Sequence, residues 1–85
     1  MSWSWEYAFG AEQSAKTAPA PFLAKVRAKA DELVRMCEAQ YLDGKTYQGE
    51  DPPGGSLSVG SGFFDYQIVV RHERVYVVQL THLEF

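Results

Sequence analysis

The period of the apolar residues changes along this chain, and that change decides the fold class. In PFLAKVRAKADELVRMCEAQYLDG, Phe22, Val26, Ala30, Leu33, Val34, Cys37 and Tyr41 recur at spacings of three and four, which places them on one stripe of a helix. The pattern predicts a helix over about residues 21–42, ended by Asp43-Gly44. From Ser56 onward the pattern becomes strand-like, in SLSV, FFDYQIVV and VYVVQLTHL. It predicts strands over about residues 56–59, 63–70 and 75–82, with turns at Gly60-Ser61-Gly62 and Arg71-His72-Glu73. A chain that moves from a period of 3.6 to a period of two belongs to the α+β class.

The same period of two opens the chain. Trp3, Trp5, Tyr7 and Phe9 alternate with Ser4, Glu6 and Ala8, so a first strand is expected over about residues 3–9, its aromatic face laid on the long helix. GAEQSAKTAPAP predicts a short helix over about residues 11–18, stopped by Pro19 and Pro21. KTYQGEDPPGG, with two prolines and three glycines, reads as a loop long enough to be a crossover. The expected order is an N-terminal strand, a two-helix hairpin, then a three-stranded antiparallel meander, in one domain spanning residues 1–85. In the middle strand Phe64, Tyr66, Ile68 and Val70 face one way, and Phe63, Asp65, Gln67, Val69 and Arg71 the other. Val75-Tyr76-Val77-Val78 is apolar on both faces, which suggests a central position. Eighty-five residues lie near the lower limit for a single unstapled core, and a 14% aromatic share offsets the small size.

A single cysteine, Cys37, excludes an internal disulfide and a cysteine-rich zinc site. The formal charge of −3, without an obvious basic stripe, argues against a domain whose main task is gripping phosphate backbones. Lys25, Lys29, Glu32 and Arg35 read as a solvated helix face. The N-terminus has no leader pattern and no stretch approaches eighteen apolar residues, so a soluble cytoplasmic protein without membrane contact is expected.

Few residues carry chemistry. His72 falls in a turn, where solvation accounts for it. His82, near the end of the last strand, is of a type suited to proton transfer, because an imidazole can exchange a proton near neutral pH. The two histidines lack metal-ligand spacing, and neither a metal nor a cofactor is expected. Cys37 lies on the buried stripe and reads as a core thiol. Ser56, Ser58 and Ser61 have no nucleophile-elbow context, and the glycines of DPPGGSLSVGSG form no phosphate loop. Asp65, Gln67 and Arg71 on one strand, with Arg74, Tyr76 and His82 on the next, could form a shallow polar site or ordinary solvent-side alternation.

The order strand, two helices, three strands, with WEYAFGAEQ leading in and FFDYQIVVRHERVYVVQLTH closing, resembles the RelE/ParE toxin superfamily of bacterial type II toxin–antitoxin systems. The resemblance covers almost the whole chain. It rests on a first strand ending in Phe before a small-residue helix start, and on a last strand of β-branched residues running into Thr81-His82. The resemblance implies a toxin neutralised by a cognate antitoxin, one that in many members cleaves mRNA on the ribosome. Carried onto this sequence, the endoribonuclease expectation assigns Arg71 and Arg74 as phosphate clamps and His82 or Tyr66 as acid or base. SLSV carries no basic residue, Asp65 or Gln67 stands where a family arginine would fall, and Leu83 follows the terminal histidine. These departures keep open an alternative: a non-catalytic, or gyrase-type, inhibitor acting through protein contacts.

Overall fold

The computed structural model describes residues 3–83, apart from the side chain of Phe9. In chain order the elements are β1 (Ser4–Tyr7), α1 (Phe9–Ala15), α2 (Ala20–Gln40), β2 (Gly55–Val59), β3 (Gly62–Val69) and β4 (Arg74–His82). Short 3-10 turns occupy Gly44–Thr46 and Val70–His72. The strands form one mixed sheet in the order β1-β4-β3-β2. β2 with β3 and β3 with β4 are antiparallel, while β1 joins β4 in parallel. The fold is therefore α+β, with one long helix on a four-stranded sheet.

The long helix follows from its apolar stripe. Phe22, Val26, Ala30, Leu33 and Cys37 are its buried residues, at the three- and four-residue spacing that keeps one face inward. Pro21 in the first turn has no amide hydrogen to leave unsatisfied there. The helix ends at Tyr41, whose N–H donates to the Cys37 carbonyl at 2.8 Å. Against this stripe the sheet sets Phe64, Ile68, Val75, Val77 and Leu80, all buried. β4, with β1 and β3 on either side, holds the centre of the sheet.

β1 is shorter than the alternation of its aromatics. The Ala8 N–H makes the last bond to the sheet, to the Val77 carbonyl at 2.8 Å, and the Ala8 carbonyl accepts the Glu12 N–H at 3.0 Å to begin α1. Phe9 is thus the first residue of a helix rather than the end of a strand, and its side chain lies outside the described part of the chain. Trp3, just ahead of β1, is buried, while Trp5 and Tyr7 are half-buried, because β1 is an edge strand. The Trp5 indole N–H donates to Asp31 Oδ1 on α2 at 2.9 Å, and its ring meets Tyr7 edge-on at 5.1 Å.

The crossover between α2 and β2 is tied down at two points. Gly44 lies under the turn at Glu73, where an added Cβ would stand 2.3 Å from the Val70 carbonyl oxygen and 2.7 Å from Glu73 Cγ. The Gly44 N–H donates to the carboxylate of Glu73, which is buried and holds a left-handed backbone with φ of 52°. Further along, Asp51 Oδ1 accepts the Val70 N–H at 2.8 Å.

A register shift in β4 decides which face its later side chains occupy. Asp65 pairs with Gln79, but Tyr66 pairs with Val77, so Val78 has no partner on β3. One extra residue in a strand reverses the parity of every side chain beyond it. Val75 and Val77 face α2 ahead of the bulge, and Leu80 and His82 face the same side after it.

Candidate functional site at the ends of the central strand

Arg71, Arg74, Tyr66 and His82 do not share one face of the sheet. Arg74 begins β4 on the face away from the helices, cross-strand from Val69. Its Nε donates to Glu6 Oε1 at 3.3 Å, and Nη1 donates to the Glu73 carbonyl at 3.1 Å. Arg71 is exposed on the 3-10 turn that precedes β4. His82 ends the same strand, eight residues from Arg74, a separation of about 26 Å at 3.3 Å per residue. Its ring lies on the helix side, with its centroid 5.0 Å from that of Phe22. Tyr66 also lies on the helix side, half-buried and packed against the core. Its hydroxyl sits over Gly55, where a Cβ would come within 2.9 Å.

The structure therefore does not bring these residues together. Alternation through an unbroken strand would place Arg74, Tyr76 and His82 on one face, and the bulge moves His82 to the other. Each end of β4 has its own small polar group. At the arginine end, Tyr76 Oη and His72 Nδ1 are 3.0 Å apart, so the turn histidine has a side-chain partner that its turn position did not disclose. At the other end, His82 Nε2 is 3.1 Å from Ser61 Oγ on the β2–β3 turn. His82 also borders a cleft of about 240 Å³ lined by Ser14, Thr17, Pro19, Phe22 and Leu80.

That cleft lacks what phosphoryl chemistry requires. Cleavage of an RNA backbone builds negative charge at phosphorus, and positively charged donors aimed at it usually supply the largest catalytic contribution. Among the described residues no lysine or arginine lines the cleft, and Arg71 and Arg74 belong to the opposite end of the strand. On the outer face Ser56 Oγ donates to Asp65 Oδ1 across β2 and β3, which uses both side chains in sheet pairing. Burial pushes the Cys37 thiol up, as expected of a core cysteine rather than a nucleophile. Among the described residues, no group of three or more His, Cys, Asp or Glu could hold a metal ion, and no helix is long and apolar enough to cross a membrane.

A second surface escaped the sequence reading. β2 is the outer strand of the sheet, and a groove of about 220 Å³ between it and α2 is lined by Lys25, Ala28, Lys29, Ser58, Val59 and Gly60. The lysines read as part of a solvated face because the sequence gives no sign that β2 forms the sheet edge beside them. The available signal was SLSV itself, a short strand without charge or proline.

Compared with known proteins, the chain matches no family model, no curated protein and no solved structure.

Proposed function

We propose that this chain is the toxin component of a toxin–antitoxin pair of RelE/ParE-like organisation, working in the cytoplasm and acting by contact with a protein target rather than by cutting RNA. The toxin reading is supported by the element order of strand, two helices and three strands, and by the closing Val75-to-His82 segment that carries the resemblance. One observation favours contact over catalysis: the bulge at Val78 puts His82 on the helix side, about 26 Å along β4 from Arg74. A general acid or base must come within hydrogen-bond reach of the proton it moves, and the charge it serves must be stabilised at the same place. His82 and the arginines cannot serve one phosphate.

The test is expression in a bacterial host without a partner. Growth arrest with ribosome-bound mRNA intact, retained in His82→Ala and Arg71→Ala, is the expected result. Normal growth with the folded protein abundant in the cells would overturn the toxin reading. Arrest accompanied by mRNA cleavage that falls about a hundredfold in His82→Ala would restore the endoribonuclease.

A further inference from the structure

β2 is an outer strand of the sheet, and Ser56 and Ser58 on it are exposed. Natural sheet edges are usually blunted by a charge, a proline or a bulge. β2 reads Gly-Ser-Leu-Ser-Val and pairs with β3 without irregularity from Gly55↔Tyr66 to Val59↔Gly62. The two-residue turn at Gly60-Ser61, with Gly60 at φ of 55°, makes Val59 and Gly62 the hydrogen-bonded pair that closes the hairpin. Antiparallel pairing then alternates. Val59, Leu57 and Gly55 turn their N–H and C=O groups toward β3, and Ser58 and Ser56 turn theirs outward. Among the described residues no strand lies beyond them.

The side of this edge that faces α2 has a definite chemistry. Val59 and Ala28 supply an apolar floor to the groove, and Lys25 and Lys29 supply its charge. Lys25 leans over the β2–β3 turn, its Nζ within 3.0 Å of where a Gly60 Cβ would stand, and among the described residues it makes no ion pair. Lys29 is 3.5 Å from Glu32 in an exposed i,i+3 pair, a contact weak enough to be exchanged for another carboxylate. A strand added to β2 alternates its side chains between the two faces. Those on the helix side would meet the apolar floor and the two ammonium groups.

We propose that β2 takes up an extended acidic segment of a partner protein as a fifth strand, its outward-facing backbone bonds made by Ser56 and Ser58 and its carboxylates met by Lys25 and Lys29. A second copy of the chain fits the edge poorly, because antiparallel pairing of two β2 strands keeps both α2 helices on one side and sets lysines of each beside the same groove. The proposal deepens the reading of the chain as a toxin that works through protein contacts, by naming the edge and the chemistry of its partner.

The test uses the full chain and two capped ten-residue peptides, one alternating valine with glutamate and the other valine with lysine, followed by fluorescence anisotropy. The glutamate peptide is expected to bind at least tenfold more tightly than the lysine peptide. Lys25→Glu with Lys29→Glu should reverse that preference, and Ser58→Pro, which removes one outward N–H, should weaken the glutamate peptide about tenfold with the far-ultraviolet circular dichroism unchanged. Equal affinity for the two peptides, or no binding by either, would overturn the proposal. So would sedimentation of the unliganded protein as a dimer that Ser58→Pro dissociates, because the edge would then belong to a second copy. Growth arrest on expression reports the toxin reading separately, so an arresting protein that ignores both peptides would sink the edge assignment alone.

Discussion

Trp3 and Trp5 share one alternating face, yet their energetic roles differ. Trp3 is 6% exposed, stacks on Tyr41 with ring centroids 6.1 Å apart, and donates its indole N–H to the Tyr41 carbonyl at 3.3 Å. Truncation of a buried aromatic leaves a cavity that neighbours only partly fill, so Trp3→Ala is expected to cost about 3–5 kcal/mol. Trp5 is half-buried at the sheet edge and should cost less, about 1–2 kcal/mol, including its hydrogen bond to Asp31. Urea unfolding of the two variants checks the order, and a larger loss at Trp5 would mean that β1 is covered more deeply than described. Titration gives a second residue-scale prediction. Burial pushes both the Cys37 thiol and the Tyr7 phenol up, the latter opposed in part by the Arg27 guanidinium. Both groups hold their protons more tightly folded than unfolded. Their contribution is complete below the unfolded values, about 8.5 for a thiol and 10 for a phenol, and is lost as pH rises past them. Urea midpoints should therefore fall above about pH 9, and a midpoint that climbs there would contradict the assignment.

At the scale of elements, the bulge in β4 and the edge at β2 decide what the sheet presents. The sequence contains Val78 but nothing that marks it as the residue without a partner, because Val75-Tyr76-Val77-Val78 is apolar throughout and either register buries valines. The bulge becomes necessary only once Phe64 and Ile68 on β3 and Val75, Val77 and Leu80 on β4 must all face the same helix. Parity at β2 can be measured directly. The outward amides of Ser56 and Ser58 should exchange with solvent far faster than the Leu57 amide between them, since only Leu57 donates to β3. Equal protection along β2 would show that the edge is already occupied. The tie between the crossover and the β3–β4 turn is equally specific. Gly44→Ala would drive a Cβ into the Val70 carbonyl and Glu73 Cγ, and a loss of about 2–4 kcal/mol is expected. Near-wild-type melting of that variant would show that the crossover can lift away from the turn at little cost.

For the molecule as a whole, the strand pairing of greatest sequence separation is the parallel pairing of β1 with β4, which joins Ser4 to Arg74 across almost the full chain. Loop closure must be met before such a contact contributes, so folding slower than that of a helical bundle of similar length is expected. Stopped-flow refolding should slow little in an edge variant such as Trp5→Phe if β1 docks after the transition state. A strong slowing would place β1 in the nucleus. The elements themselves were legible in the sequence because each is set by local periodicity: the stripe from Phe22 to Cys37, the alternation from Phe63 to Val69, and the apolar run at Val75 to Val78. The caps and turns were legible for the same reason, through Pro21, Gly60 and the Arg71-His72-Glu73 turn. The candidate site was legible only as residue types. Arg74 and His82 are on one strand in either reading, but the face each occupies depends on how many residues of β4 oppose β3, a property of two strands together. In the same way Lys25 and Lys29 are surface lysines of a helix until the sheet order sets an unpaired strand beside them. Local sequence determined the helix and strand periods, while strand order and the bulge, which arise from packing distant segments onto one helix, decided which side chains meet.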